Sequence, residues 1–140
     1  MEILKLTDIC KDYMQGKEPV RVLKNINLTV HKGDYLAIMG PSGSGKSTFL
    51  RSLNLMEEPT DGEIIFHNID ITKKSFINKQ GKKEKVDINL HRQKMGMVFQ
   101  QFNLFNHMNI IENIMAAPMD LLGKTKQEAY DSGMELLRTV

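Results

Sequence analysis

The chain reads as an α/β fold, a sheet core with helices, approached through an antiparallel β-layer at the N-terminus. Three observations predict it. Apolar residues alternate loosely through residues 2–30, broken by one turn, before any helical spacing begins. A short apolar run, Tyr35-Leu36-Ala37-Ile38-Met39, leads into a glycine-rich segment and then into the helical spacing of Phe49, Leu50, Leu53 and Met56. Further on, Asn109 with Glu112 and Thr125 with Glu128 have the form of capping boxes, each opening a helix.

In chain order, residues 2–12 form an edge strand carrying Ile3, Leu4, Leu6, Ile9 and Cys10. After Tyr13, residues 15–19 turn, and residues 20–30 return as a strand with Val22, Leu23, Ile26, Leu28 and Val30 apolar. His31-Lys32-Gly33-Asp34 turns into residues 35–39, read as a buried strand. A helix is expected over residues 47–58, stopped by Pro59-Thr60-Asp61-Gly62, and residues 63–67 form a short strand. Residues 72–94 are polar and strongly basic, with only Glu84 and Asp87 as acids. Such a run can mark a nucleic-acid or headgroup surface, but only Phe76 interleaves, which favours a solvated loop with a short helix. Met95-Gly96-Met97-Val98-Phe99 is expected as a strand buried on both faces. The helix from Asn109 should end at Pro118, and the last helix should present Ala129, Gly133, Leu136, Leu137 and Val140 on one face.

The segment with the sharpest chemistry is Gly40-Pro41-Ser42-Gly43-Ser44-Gly45-Lys46-Ser47-Thr48, which fits G-x-x-x-x-G-K-[ST] between a strand and a helix. Gly43 and Gly45 allow backbone angles that a side chain forbids, so successive N–H groups can converge on an anion. The helix N-terminus adds partial positive charge. Lys46 is placed to reach β and γ phosphates and Ser47 to put its hydroxyl on Mg²⁺, with Thr48 behind them.

With 140 residues the chain is at most one domain, and a net charge of +2 does not by itself imply a nucleic-acid partner. The single cysteine, Cys10, excludes an internal disulfide and fits a reducing compartment. The histidines at 31, 67, 91 and 107 lack metal-ligand spacing. The N-terminus has no signal-peptide pattern and no apolar run reaches a membrane span, so membrane contact is expected through a partner.

Taken together, these motifs resemble the ATP-binding subunit of an ABC transporter. Tyr13 is similar to the aromatic residue that stacks on adenine in that family, Gly40 to Thr48 to its phosphate loop, and Val98-Phe99-Gln100-Gln101 to the strand entering the Q-loop. Leu104-Phe105 and Glu112-Asn113-Ile114 are similar to the segment that follows. The resemblance implies a P-loop ABC ATPase core with an N-terminal antiparallel β-subdomain and the start of a helical subdomain, truncated, residues 1–140 being the first part of one ATP-binding domain. It implies ATP and Mg²⁺ as cofactors. Tyr13, Gly40, Pro41, Ser42, Gly43, Ser44, Gly45, Lys46, Ser47 and Thr48 would hold ATP, Ser47 and Gln100 the metal, and Lys46 and Gln100 would act in catalysis. Implied partners are membrane permease subunits, a second ATP-binding subunit and, indirectly, a substrate-binding protein, at the cytoplasmic face of the cell membrane.

Residues 102–118 and the polar insert resemble the polar amino acid uptake branch, the reading favoured here. Asn106 departs from it, standing where that branch usually has proline. Tyr13, Gly16 and residues 20–23 look more like the lipoprotein-release and macrolide-export branch, which is the alternative. The family's glycine-rich signature, Walker B aspartate, catalytic glutamate and switch histidine have no counterpart in these residues. Asp70 and Asp120 do not close apolar strands and are poor substitutes. A nucleotide-binding module without hydrolysis is therefore a second reading. A small-molecule kinase or GTPase fits less well, because two strands precede the one that leads into the loop.

Overall fold

The computed structural model describes residues 1–101 and 103–140 and divides into two compact units, residues 1–96 and 97–140. The first is organised by a long hairpin. Strand β1 (Glu2–Gln15) and strand β2 (Glu18–His31) pair antiparallel from Gln15↔Glu18 to Glu2↔His31. Gly16 and Lys17 alone connect them, and Gly16 has φ +68°, the left-handed first position that a tight primed turn requires. Strand β3 (Asp61–Phe66) adds to the other edge of β1, and β4 (Ile69–Asp70) to β3, giving the order β2-β1-β3-β4. Gly62, at φ +98°, lets β3 approach β1 there, since a Cβ on it would lie 2.5 Å from the Asp8 carbonyl oxygen.

The sheet is covered on one face. Leu4, Leu6, Ile9, Leu23, Ile64 and Phe66 are buried against Phe49 of helix α1 (Lys46–Leu53) and against Leu55, Ile71 and Val86. Cys10 is also buried, and its Sγ accepts the Asn25 N–H at 3.4 Å where the β1–β2 register shifts, so the thiol is part of the sheet. The basic insert is more ordered than a solvated loop. Strands β5 (Ser75–Ile77) and β6 (Lys83–Lys85) pair as a second sheet, and helix α2 (Ile88–Gln93) starts on the Asp87 carboxylate, which accepts the Asn89 and Leu90 N–H groups.

The second unit contains helices α3 (Ile110–Leu122) and α4 (Lys126–Thr139), both opened by the expected capping boxes. They meet at Gly133, where a Cβ would stand 2.7 Å from Ile111 Cδ1. Pro118 does not end α3. The helix runs through it and stops at Gly123, in the left-handed conformation at φ +62°.

Two expected strands are absent among the described residues. Residues 35–39 and 95–99 form no ladder, and Tyr35, Met39 and Val98 are 98, 89 and 97% exposed. A parallel strand is held by neighbours brought in through long crossovers, and among the described residues none lies beside either segment. Helix α1 is also shorter than its apolar spacing suggests. It ends at Leu53, Asn54 caps it, and Leu55 turns the chain at φ +55° into the core.

Candidate phosphate-binding site

Everything around residues 40–48 follows from three glycines and the start of α1. Gly43 and Gly45 have φ +82° and +88°, and Gly45 is the left-handed N-cap of α1. Among the described residues no side chain caps that helix, so its first-turn N–H groups remain available to an anion. The loop is closed by a bond from the Ser44 N–H to the Pro41 carbonyl at 3.2 Å. Gly40 permits this close fold, because a Cβ there would stand 2.6 Å from Ser44 Oγ. Gly45 fits against the sheet, where a Cβ would come within 3.2 Å of both Leu23 Cδ2 and Val22 Cγ1.

Lys46 lies over this loop. Its Nζ donates to the carbonyl oxygens of Gly40 at 2.7 Å and Pro41 at 2.8 Å, and to Ser44 Oγ at 3.3 Å. Its acceptors are all neutral, so it can move to a phosphate without breaking an ion pair. Ser47 is exposed at the helix start, and its hydroxyl makes no hydrogen bond among the described residues. A hard oxygen donor of this kind suits Mg²⁺. Pro41 and Ser42 are exposed on the loop, and Thr48 is half-buried behind it. A cleft of about 300 Å³ opens beside the loop, lined by Ile38, Met39, Ser44, Gly45 and Lys46, with Phe49 below. A larger cavity of about 790 Å³ lies between residues 58–62 and the basic insert, and it contains none of the expected site residues. Donor chemistry rather than volume therefore marks the site.

Tyr13 lies in β1 opposite Val20, two residues before the strand ends, and is 37% exposed. Lys11, which the sequence did not single out, holds its Nζ 5.2 Å from the centre of the Tyr13 ring. On β1 and β2, Arg21 donates to Asp12 through Nε at 2.8 Å and Nη2 at 3.1 Å. These hydrogen bonds hold the Asp12 carboxyl below the usual carboxylate range.

In the second unit, Gln100 and Gln101 are exposed outside regular structure. Phe102, the first residue of the segment that resembles the uptake branch, lies outside the described residues. Leu104 and Phe105 are exposed, and the Phe105 and His107 rings lie 5.9 Å apart. Asn113 organises this segment. Its Oδ1 accepts the Phe105 N–H at 2.8 Å, and its Nδ2 donates to the carbonyls of Phe105, Met108 and Asn109. An asparagine in a helix's first turn is a poor helix former, the one sequence signal that could have exposed this role. Lys46 and Ser47 belong to the first unit and Gln100 to the second.

The pattern of the ABC transporter family matches residues 23–139. The chain belongs to this family. Among relatives of this ABC transporter chain, the arginine transport ATP-binding protein ArtM of Bacillus subtilis is 42% identical over 99% of the chain and 52% of its own length. The glutamine transport ATP-binding protein GlnQ of Geobacillus stearothermophilus is 44% identical over 85% of the chain and 45% of its own length. HisP of Escherichia coli, a histidine/lysine/arginine/ornithine transport ATP-binding protein, is 40% identical over 98% and 52%. The chain therefore spans about half the length of the curated relatives it matches. Among solved structures, the dimeric post-hydrolysis state of the ATP-binding cassette MJ0796 bound to ADP and Pi aligns with a TM-score of 0.80 and 32% identity, over 97% of this chain and 56% of that one. No helix among the described residues is long and apolar enough to cross a membrane.

Proposed function

We propose that these residues are part of the ATP-binding subunit of an ABC transporter that couples ATP hydrolysis to solute movement across the membrane, amino acid uptake being the favoured process. The observation that carries this is the loop itself. Lys46 Nζ, with no acidic partner among the described residues, is poised on the Gly40 and Pro41 carbonyls beside an uncapped helix start. Three relatives described as amino acid transport ATP-binding proteins support the uptake branch over lipoprotein release or macrolide export.

In this reading the loop amides and Lys46 bind the β and γ phosphates, and Tyr13 stacks on adenine. Ser47 and Gln100 would hold Mg²⁺ through oxygen donors, and the metal would supply charge neutralisation. Phosphoryl transfer also needs a group to orient the attacking water, and Gln100 contributes only part of that. The parent is proposed to pair two ATP-binding subunits against permease subunits at the cytoplasmic membrane face, with a binding protein delivering solute. Exposed Leu104 and Phe105 would face the permease, since apolar loop side chains favour a partner.

Calorimetry with Mg-ATP tests the central claim. Charged hydrogen bonds are worth about 1.5–3 kcal/mol each, so Lys46→Ala should weaken ATP by at least about tenfold. Its lost bonds to loop carbonyls can be replaced by water, so the melting temperature should change little. Equal ATP affinity in the variant would refute the phosphate role.

A further inference from the structure

We propose that Lys11 is a positioning residue of the base subsite, fixing the Tyr13 ring by covering one of its faces and tying it to the segment that follows the phosphate-loop helix. The proposal rests on the stacking role given to Tyr13 above. Lys11 and Tyr13 stand two apart on β1 and so share a face of the strand. The Lys11 side chain is only 16% exposed, and its Nζ lies 5.2 Å from the Tyr13 ring centre. The same ammonium donates to the Glu58 carbonyl at 2.7 Å and faces the Glu57 carboxylate at 3.5 Å. Glu57 and Glu58 follow α1, the helix whose first residue is Lys46.

The geometry has two consequences. A cation over an aromatic face is attracted to its π cloud, so Lys11 holds the ring from one side and leaves the opposite face for a planar partner. Drawing electron density toward Lys11 also lowers repulsion between that opposite face and the π cloud of a purine. The ammonium is anchored at Glu57 and Glu58, in the bend that follows α1, so the base platform is tied to the chain leaving the helix that starts at the phosphate cradle. Lys11 therefore favours ligands that carry both a base and phosphates over ligands that carry phosphates alone.

The test compares Mg-ATP with Mg-tripolyphosphate by calorimetry in the wild type, Lys11→Met, Lys11→Arg, Tyr13→Ala and the Lys11→Met/Tyr13→Ala double variant. Lys11→Met should weaken ATP by about two- to fivefold, the lower end of the cation–π range, and leave tripolyphosphate unchanged. Lys11→Arg should restore ATP, and Lys11→Met should have no further effect once Tyr13 is alanine. Tyr13→Trp places the only tryptophan in the chain at the platform, and its fluorescence should respond to ATP less when Lys11 is methionine. If Lys11→Met melts below the assay temperature, Lys11→Gln serves in its place. Unchanged ATP affinity, equal weakening of tripolyphosphate, or additive losses in the double variant would each overturn the proposal. Failure of the underlying stacking role looks different: Tyr13→Ala itself would then leave ATP binding untouched.

Discussion

Replacing Gly45 with alanine perturbs the phosphate loop in a way whose size can be worked from the structure. At φ +88° an alanine incurs the left-handed penalty of about 1–2 kcal/mol. Its methyl would also press at 3.2 Å on Leu23 Cδ2 and Val22 Cγ1, and Leu23 is buried in the sheet core. Overpacking of this kind costs about 1–3 kcal/mol, so the total is about 2–5 kcal/mol. Gly43 is the internal control. Its φ is +82°, but nothing lies within 4 Å of a methyl placed there, which leaves only the conformational penalty. Thermal melts of both variants without nucleotide should therefore show Gly45→Ala lower than Gly43→Ala, by several degrees at the usual few degrees per kcal/mol. Both should lose Mg-ATP affinity, because each bends the amides away from the anion. Equal melting temperatures would show that the contact with β2 does not constrain the loop.

His91 predicts a pH dependence of stability. It is 8% exposed, packs edge-on to Phe66 at 5.9 Å, and its Nδ1 has no hydrogen-bond partner among the described residues. Burial pushes its pKa below 6.5, Lys94 and His67 add to the shift, and Asp87 opposes it. The unfolded chain therefore takes the proton first, and the neutral ring's contribution is complete above pH 6.5 and is lost as pH falls through the folded value. His91→Phe should flatten melting temperature between about pH 7 and 5, and an unchanged slope would refute the assignment. Residues 1–140 alone should show no ATP turnover above background, because Gln100 supplies only part of the water orientation that phosphoryl transfer needs. A Lys46-dependent rate near that of a working transporter would contradict this and implicate Gln100, Asp70 or Asp120. In the assembled transporter, cysteine at Phe105 or His107 should crosslink to the permease, and failure at both positions in every nucleotide state would remove this segment from the interface.

Legibility in the sequence follows the range of the interactions. Asn109 with Glu112 and Thr125 with Glu128 are readable because a cap is settled within a few residues. The phosphate loop is readable for the same reason, its glycines and Lys46 solving one local problem. Residues 35–39 and 95–99 mislead because an apolar run shows only that a segment can be buried, while a ladder depends on distant partners. Pro118 reads as a stop, yet a helix can absorb one missing N–H, and Gly123 ends it instead. Lys11 is hidden because its anchors, Glu57 and Glu58, are 46 and 47 positions away in the numbering. The β5–β6 pair is hidden by its polar composition, which resembles that of a solvated loop.

The two-residue turn at Gly16 also sets an order of assembly. Every β1–β2 pair can form by zipping outward from Gln15↔Glu18, each step closing a loop only slightly longer than the last. Such hairpins form in about 1–10 μs. The β1–β3 pairs, such as Cys10↔Asp61 and Leu4↔Phe66, must instead draw together residues more than fifty apart. That closure costs more entropy and leads to slower folding. Loop closure thus favours the hairpin as the template on which α1 and β3 condense. On this order the loop of residues 40–48 takes its shape last, when Gly45 reaches the β2 edge at Val22 and Leu23.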